Sequence, residues 1–145
     1  MSILDRYIRA NQLYNQGIDA IEAHHDHRAV QLLSRALQIN PRYTLAFINR
    51  GKLYQKHGSN RSAARNYESA LRLDPHDDQT RYRLAVLYET MENLSLSAHH
   101  FYRVLINVGW ASRPGVRSAV EALRQHRYRS AVAGFHRVLS RLDFH

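Results

Sequence analysis

A chain of 145 residues, 44% hydrophobic and without cysteine, can bury a continuous core but has no disulfide or thiolate-metal framework. Its net charge of +9, from 21 lysines and arginines against 12 acids, favours acidic proteins, nucleic acid or anionic surfaces as partners. The opening MSILDRYIRANQ is interrupted by Asp5, Arg6 and Arg9, and no apolar run reaches the roughly 18 residues of a membrane helix; no signal peptide or membrane insertion is expected, and the expected compartment is cytoplasmic.

Ser2 and Asp5 have the spacing of a capping box and start a first helix, along which apolar or small residues recur at Leu4, Ile8, Leu13, Gly17, Ala20 and Ile21. The polar run HHDH at 24–27 ends it. A second helix carries Ala29, Leu32, Leu33, Ala36 and Leu37 on one face. It stops before Pro41, which lacks an amide hydrogen and restricts the residue before it. A third helix is predicted from about Thr44 to His57, and after a break at 58–60 a fourth runs to about Leu73, ahead of Pro75. The fifth and sixth cover about Asp78 to Met91 and Leu94 to Asn107, with Val108, Gly109 and Trp110 in place of the proline turn. Pro114 suits the first turn of a seventh helix, which breaks at 125–127, and an eighth runs to about Arg141. Nothing reads as a strand, a low-complexity tract or a long linker.

The pattern has a period. Pro41 and Pro75 stand 34 residues apart, and the segments LLSRALQINPRY and NYESALRLDPHD around them align without a gap. The same step relates Gly17, Gly51, Ala85 and Ala119; Ala29, Ala63, Ser97 and Ala131; and Leu33, Tyr67, Phe101 and Phe135. Small residues at the first two series let the helices of a pair touch, and the large third series fills the space beside them as core. One pair cannot bury its apolar stripe alone, so neighbouring pairs must stack.

These residues resemble the tetratricopeptide repeat (TPR) family, whose pattern of small and aromatic positions has this period. The second copy is the nearest match, with Phe47, Gly51, Tyr54, Ala63, Tyr67, Ala70 and Pro75; the fourth, keeping Ala119, Ala131 and Phe135, is the most divergent. The resemblance implies an all-α fold, a right-handed superhelical array of helix-turn-helix pairs (an α-solenoid). It implies a single domain over 1–145, with repeats at about 10–43, 44–77, 78–111 and 112–145 and residues 1–9 extending the first helix.

In such arrays the first helix of each pair lines the inner surface. Repeat position 6 there reads Asn15, Asn49, Arg83, Arg117, and position 2 reads Asn11, Leu45, Gln79, Arg113. Position 5 reads Tyr14, Ile48, Tyr82, Val116, and position 9 reads Ile18, Lys52, Val86, Val120, an apolar floor for a groove. Amides can pair with a peptide backbone and arginines with carboxylates. The candidate peptide-binding residues are therefore Asn15, Asn49, Lys52, Tyr82, Arg83, Arg113 and Arg117. The expected function is a non-catalytic protein-interaction module (adaptor, scaffold or assembly chaperone) for an acidic or extended peptide, with no cofactor. Some TPR proteins clamp the terminal carboxylate of heat-shock chaperones; here Asn49 and Arg83 match that set but Tyr14, Ile18 and Gln79 do not, so that partner is not carried over.

Other readings are weaker. RNA or single-stranded nucleic acid binding would use Tyr14, Tyr82 and the arginines, but charge is concentrated at 44–77 (+3) and 112–145 (+5) with neutral copies elsewhere. His24, His25 and His27 fall in a turn and His99 and His100 on different helix faces, so no metal is expected. Carboxylates are scattered, and neither a phosphate loop nor an activated nucleophile is visible, so an enzyme is not expected. The chain ends with Val138, Leu139, Leu142 and Phe144, expected to be partly uncovered and to dock onto a partner or a second copy.

Overall fold

The computed structural model describes residues 1–142, and among these the chain is eight α-helices and no strand. They are α1 (Ile3–Glu22), α2 (Asp26–Ile39), α3 (Thr44–Lys56), α4 (Asn60–Leu73), α5 (Asp78–Thr90), α6 (Leu94–Asn107), α7 (Pro114–Arg124) and α8 (Tyr128–Leu139). Successive helices pair as hairpins, α1 with α2, α3 with α4, α5 with α6 and α7 with α8. The chain divides after Asp74 into two compact units of two hairpins each. In the first unit α3 also packs on α2; in the second α8 and α7 pack on α6.

The helix ends follow from local chemistry. Ser2 and Asp5 form the expected capping box, with each backbone N–H bonded to the other's side chain at 3.1 Å. His24, Gly58, Glu92 and His126, related by the 34-residue step, all adopt left-handed φ values, of 61°, 77°, 58° and 57°. In each case the following amide donates to the carbonyl of Ala20, Tyr54, Tyr88 or Ala122, the six-to-one bond of a Schellman ending. Gly109, at φ 75°, ends α6 in the same way, whereas α2 and α4 end in extended residues, Asn40 and Asp74, ahead of their prolines.

The core follows the repeat. Leu33, Tyr67, Phe101 and Phe135 are each 0% exposed, as are Ala29, Ala63, Ser97 and Ala131. Opposite them, a Cβ on Gly17 would stand 3.0 Å from Leu33 Cδ2, and one on Gly51 2.9 Å from Tyr67 Cε1. In the last hairpin the missing methyl has changed sides: Ala119 carries one, and Gly134 across from it has room for none, since a Cβ there would lie 2.7 Å from that of Ala119. Ser97 replaces an alanine without cost to the core because its hydroxyl donates to Ala85 O at 2.8 Å. Arg50 is half-buried between helices, its Nε donating to Asn66 Oδ1 at 2.8 Å and its Nη1 to Ser34 Oγ at 3.1 Å. It thereby ties α3 to α4 and α2.

Two expectations are corrected. Leu4 and Ile8 do not continue the packing stripe of α1; they are 68% and 49% exposed, while Ala10, Leu13, Gly17 and Ala20 are buried. Nine residues at about 100° each put Leu4 on the far side of the helix from Leu13. At the other end, Val138 and Leu139 are buried and Leu142 packs on the core, because α8 lies against α6 as well as α7. Val138 and Leu139 are therefore not uncovered, and Leu142 is only partly so; Phe144 lies outside the described residues.

Candidate functional site

In the first unit, α1 and α3 carry Asn15, Asn49 and Lys52. Asn15 and Lys52 are exposed, and Asn49 is half-buried. Asn49 is drawn into a chain of contacts: its Nδ2 donates to Leu45 O at 2.9 Å and Tyr14 Oη at 3.1 Å. The Tyr14 ring stacks on Tyr43 at 4.8 Å, and Tyr43 Oη donates to Asn11 Oδ1 at 2.7 Å. Burial raises both phenols further above their ordinary pKa; Tyr14 accepts from Asn49, and Tyr43 donates to Asn11. The result is a polar ladder across the two helices, with Asn15 beside it making no hydrogen bond to a described residue.

The second unit carries Tyr82, Arg83, Arg113 and Arg117. Tyr82 is half-buried, 5.7 Å from the Phe101 ring and 6.4 Å from that of His136, whose Nδ1 lies 3.2 Å from Glu89. Arg113 precedes α7 as its N-cap residue and lays its guanidinium 3.6 Å over the Trp110 ring. Arg117 is exposed one turn into α7, and Arg83 is half-buried on α5. Arg83, Arg113 and Arg117 form no ion pair with any described carboxylate. Their charge is uncompensated.

The expected apolar floor is only partly a surface. Ile48 and Val116, at repeat position 5 of α3 and α7, are buried. Each of these helices is packed on two sides, α3 by α2 and α4 and α7 by α6 and α8, which widens its buried arc to include that position. Tyr14 and Tyr82, the rings expected to stack on nucleic-acid bases, already have aromatic neighbours.

The histidines serve the turns and the core. In the α1–α2 turn it is Asp26 that acts: its Oδ2 accepts from Lys56 Nζ at 2.7 Å and from His57 Nε2 at 2.8 Å. Lys56 and His57 thus hold its carboxyl below the usual range. His99 and His100 do diverge. His99 is exposed and bonded to Ser95 O, whereas His100 stacks on Tyr88 and accepts from Arg81 Nη1 at 3.2 Å. No three His, Asp or Glu side chains converge as ligands among the described residues. Nor does any described helix have the length and apolarity to cross a membrane.

Sequence reasoning passed over a recess in the first unit. Tyr7, Ile8, Asn11, Asn40, Arg42, Tyr43, Thr44 and Leu45 line an open recess of about 430 Å³ between the start of α1 and the start of α3. The signal was present: Ile3, Leu4, Tyr7 and Ile8 form an apolar arc displaced from the Leu13–Gly17 stripe.

No protein-family model matches the sequence, and no curated protein does. Solved structures do match. The type III secretion chaperone SycD of Yersinia enterocolitica, in complex with a peptide of the translocator YopD, is 14% identical with a TM-score of 0.64, covering 86% of this chain and 90% of its own. The first TPR of Spaghetti (RPAP3), bound to the HSP90 peptide SRMEEVD, is 18% identical with a TM-score of 0.65 over 86% and 94%. The Sgt2 TPR domain from Aspergillus fumigatus is 19% identical with a TM-score of 0.63 over 89% and 78%. With eight paired helices on a 34-residue period, the chain has the tetratricopeptide repeat fold of an α-solenoid.

Proposed function

We propose that the chain is a non-catalytic protein-interaction module, an adaptor, scaffold or assembly chaperone, that holds an acidic, extended segment of a partner on the exposed faces of its first helices. The observation that carries this reading is the set of three arginines, Arg83, Arg113 and Arg117, with no carboxylate partner among the described residues. Guanidinium groups left uncompensated on helix faces can bind incoming carboxylates through paired hydrogen bonds. In this reading Asn15 and Asn49 pair with the segment's backbone, Tyr82 supplies apolar area, and Lys52 adds a cation. Two neighbours of the same fold were solved with peptides bound, which is the mode proposed here.

The test is a pull-down from native lysate with the wild type and with Arg83→Glu plus Arg117→Glu, followed by titration of the recovered partner. The double variant keeps its helical circular dichroism and loses at least tenfold in affinity; unchanged affinity removes the proposal. A titration of generic RNA across salt distinguishes the alternative, since nucleic-acid binding would weaken steeply, with a slope set by several released counterions.

A further inference from the structure

The first turns of α1, residues 3–8, bury no side chain in their own unit. With 20 residues against 14 in α2, α1 outruns its partner by about two turns. The overhang is nonetheless held helical by the Ser2–Asp5 capping box. It presents Ile3, Leu4, Tyr7 and Ile8 to solvent, and Leu45, 53% exposed on α3, faces the same recess as Tyr7 and Ile8. A smaller cavity of about 140 Å³, lined by Ile3, Arg6, Tyr7, Ile39 and Asn40, adjoins it at Tyr7. Two arginines stand at this place, Arg42 in the larger recess and Arg6 in the smaller. Neither side chain bonds a described carboxylate, and the nearby Asp5 is occupied by the Ser2 cap.

We infer that this recess is an anchor pocket: it takes a bulky apolar side chain of a partner segment whose flanking carboxylates pair with Arg6 and Arg42. The inference rests on the interaction-module reading and gives its partner a chemistry: one large apolar residue bracketed by Asp or Glu. A volume of about 430 Å³ is within the range of side-chain and small-ligand pockets. Tyr7, Ile8 and Leu45 supply the apolar wall, and Asn11 and Asn40 the polar groups that can orient a peptide backbone. A second copy of this chain is disfavoured as the occupant, because the patch is cationic and the whole molecule carries +9. An anionic bilayer is the competing occupant that the vesicle test below separates: Tyr7, Ile8 and Leu45 line the concavity, whereas Leu4 lies outside it.

A random peptide library displayed on phage and selected on the intact protein tests this. Selected peptides are expected to share an aromatic or large aliphatic residue with acidic neighbours. A fluorescein-labelled consensus peptide is expected to bind Ile8→Ser plus Leu45→Ser, and separately Arg6→Glu plus Arg42→Glu, at least tenfold more weakly than wild type. All four residues are on the surface, and circular dichroism verifies the fold of each variant. Peptides whose binding ignores these substitutions yet is lost in Arg83→Glu plus Arg117→Glu overturn the anchor pocket and leave the interaction-module reading standing. Failure to select any peptide counts against both. Sedimentation with phosphatidylserine vesicles, or a concentration-dependent dimer in light scattering, abolished in either case by the Ile8 and Leu45 substitutions, assigns the patch to a membrane or to self-association and overturns the pocket.

Discussion

His24, Glu92 and His126 occupy a backbone conformation that costs a residue with a Cβ about 1–2 kcal/mol, whereas Gly58 holds the equivalent position without strain. Glu92 and His126 have side-chain contacts in exchange, with Arg129 of the next hairpin at 3.3 Å and Tyr128 Oη at 2.6 Å. His24 has none that is described, so His24→Gly is expected to raise stability by about 0.5–1 kcal/mol in urea denaturation, after the entropic penalty of glycine. His100 gives a pH dependence. Burial first, then Arg81 and His99, holds its pKa down to about 4 from the ordinary 6.5. Above 6.5 the ring is neutral whether folded or not. Between 6.5 and 4 the unfolded chain binds a proton that the folded one refuses, so stability falls on acidification through that window. The slope is below about 1.4 kcal/mol per pH unit, since solvent still reaches part of the ring. Urea midpoints of His100→Gln, which keeps an acceptor for Arg81, should show a flatter decline than wild type over this range. None of this was legible in the chain, because a left-handed histidine or a buried one is a property of its neighbours in space.

At the level of helices, periodicity was sufficient. Apolar spacing, the Ser2–Asp5 cap, the prolines at 41, 75 and 114 and the polar breaks located all eight helices, because each signal acts over a few residues of chain. The step from stripe to packing was less secure. Leu4 and Ile8 belong to an apolar spacing that drifts round α1, and Ile48 and Val116 are covered by a second neighbouring helix that a single-helix wheel does not contain. Hairpin contacts can be tested by adding one methyl group. At Gly17 the obstacle is the buried Leu33 side chain, with Cδ2 at 3.0 Å and Cγ at 3.1 Å, which has no hydrogen bond to fix it and has to give by only a few tenths of an ångström, so the gain in helix propensity of about 1 kcal/mol offsets the adjustment. At Gly51 the obstacle is the Tyr67 ring, fully buried and fixed by its Oη donating to Gln55 at 2.7 Å, with Asn66 Cβ also close at 3.2 Å. Gly51→Ala is expected to destabilise by about 1–2 kcal/mol while Gly17→Ala stays within about 0.5 kcal/mol, measured as thermal or urea unfolding.

For the whole molecule, the charge excess is shared: residues 1–74 hold eleven cations against six acids, and the rest of the chain ten against six. Partner association is therefore expected to slow and weaken as salt rises, with the Arg83 and Arg117 substitutions removing part of that dependence. The residues of repeat position 6 could be named from the sequence because the 34-residue period picks them out. Of the recess beside Tyr7 only the apolar arc of α1 could be read in the sequence, since its other wall comes from residues 40–45, far along the chain. One further property follows from the single tryptophan of the chain. Trp110 sits at the corner between α6 and α7 with the Arg113 guanidinium on its face. The molecule thus carries an intrinsic optical reporter next to one of the arginines assigned to ligand capture. In the proposed capture of a carboxylate by Arg113 the guanidinium leaves the face of this half-buried ring, and a shift of its emission to longer wavelength is the expected readout of occupancy at this corner without any label.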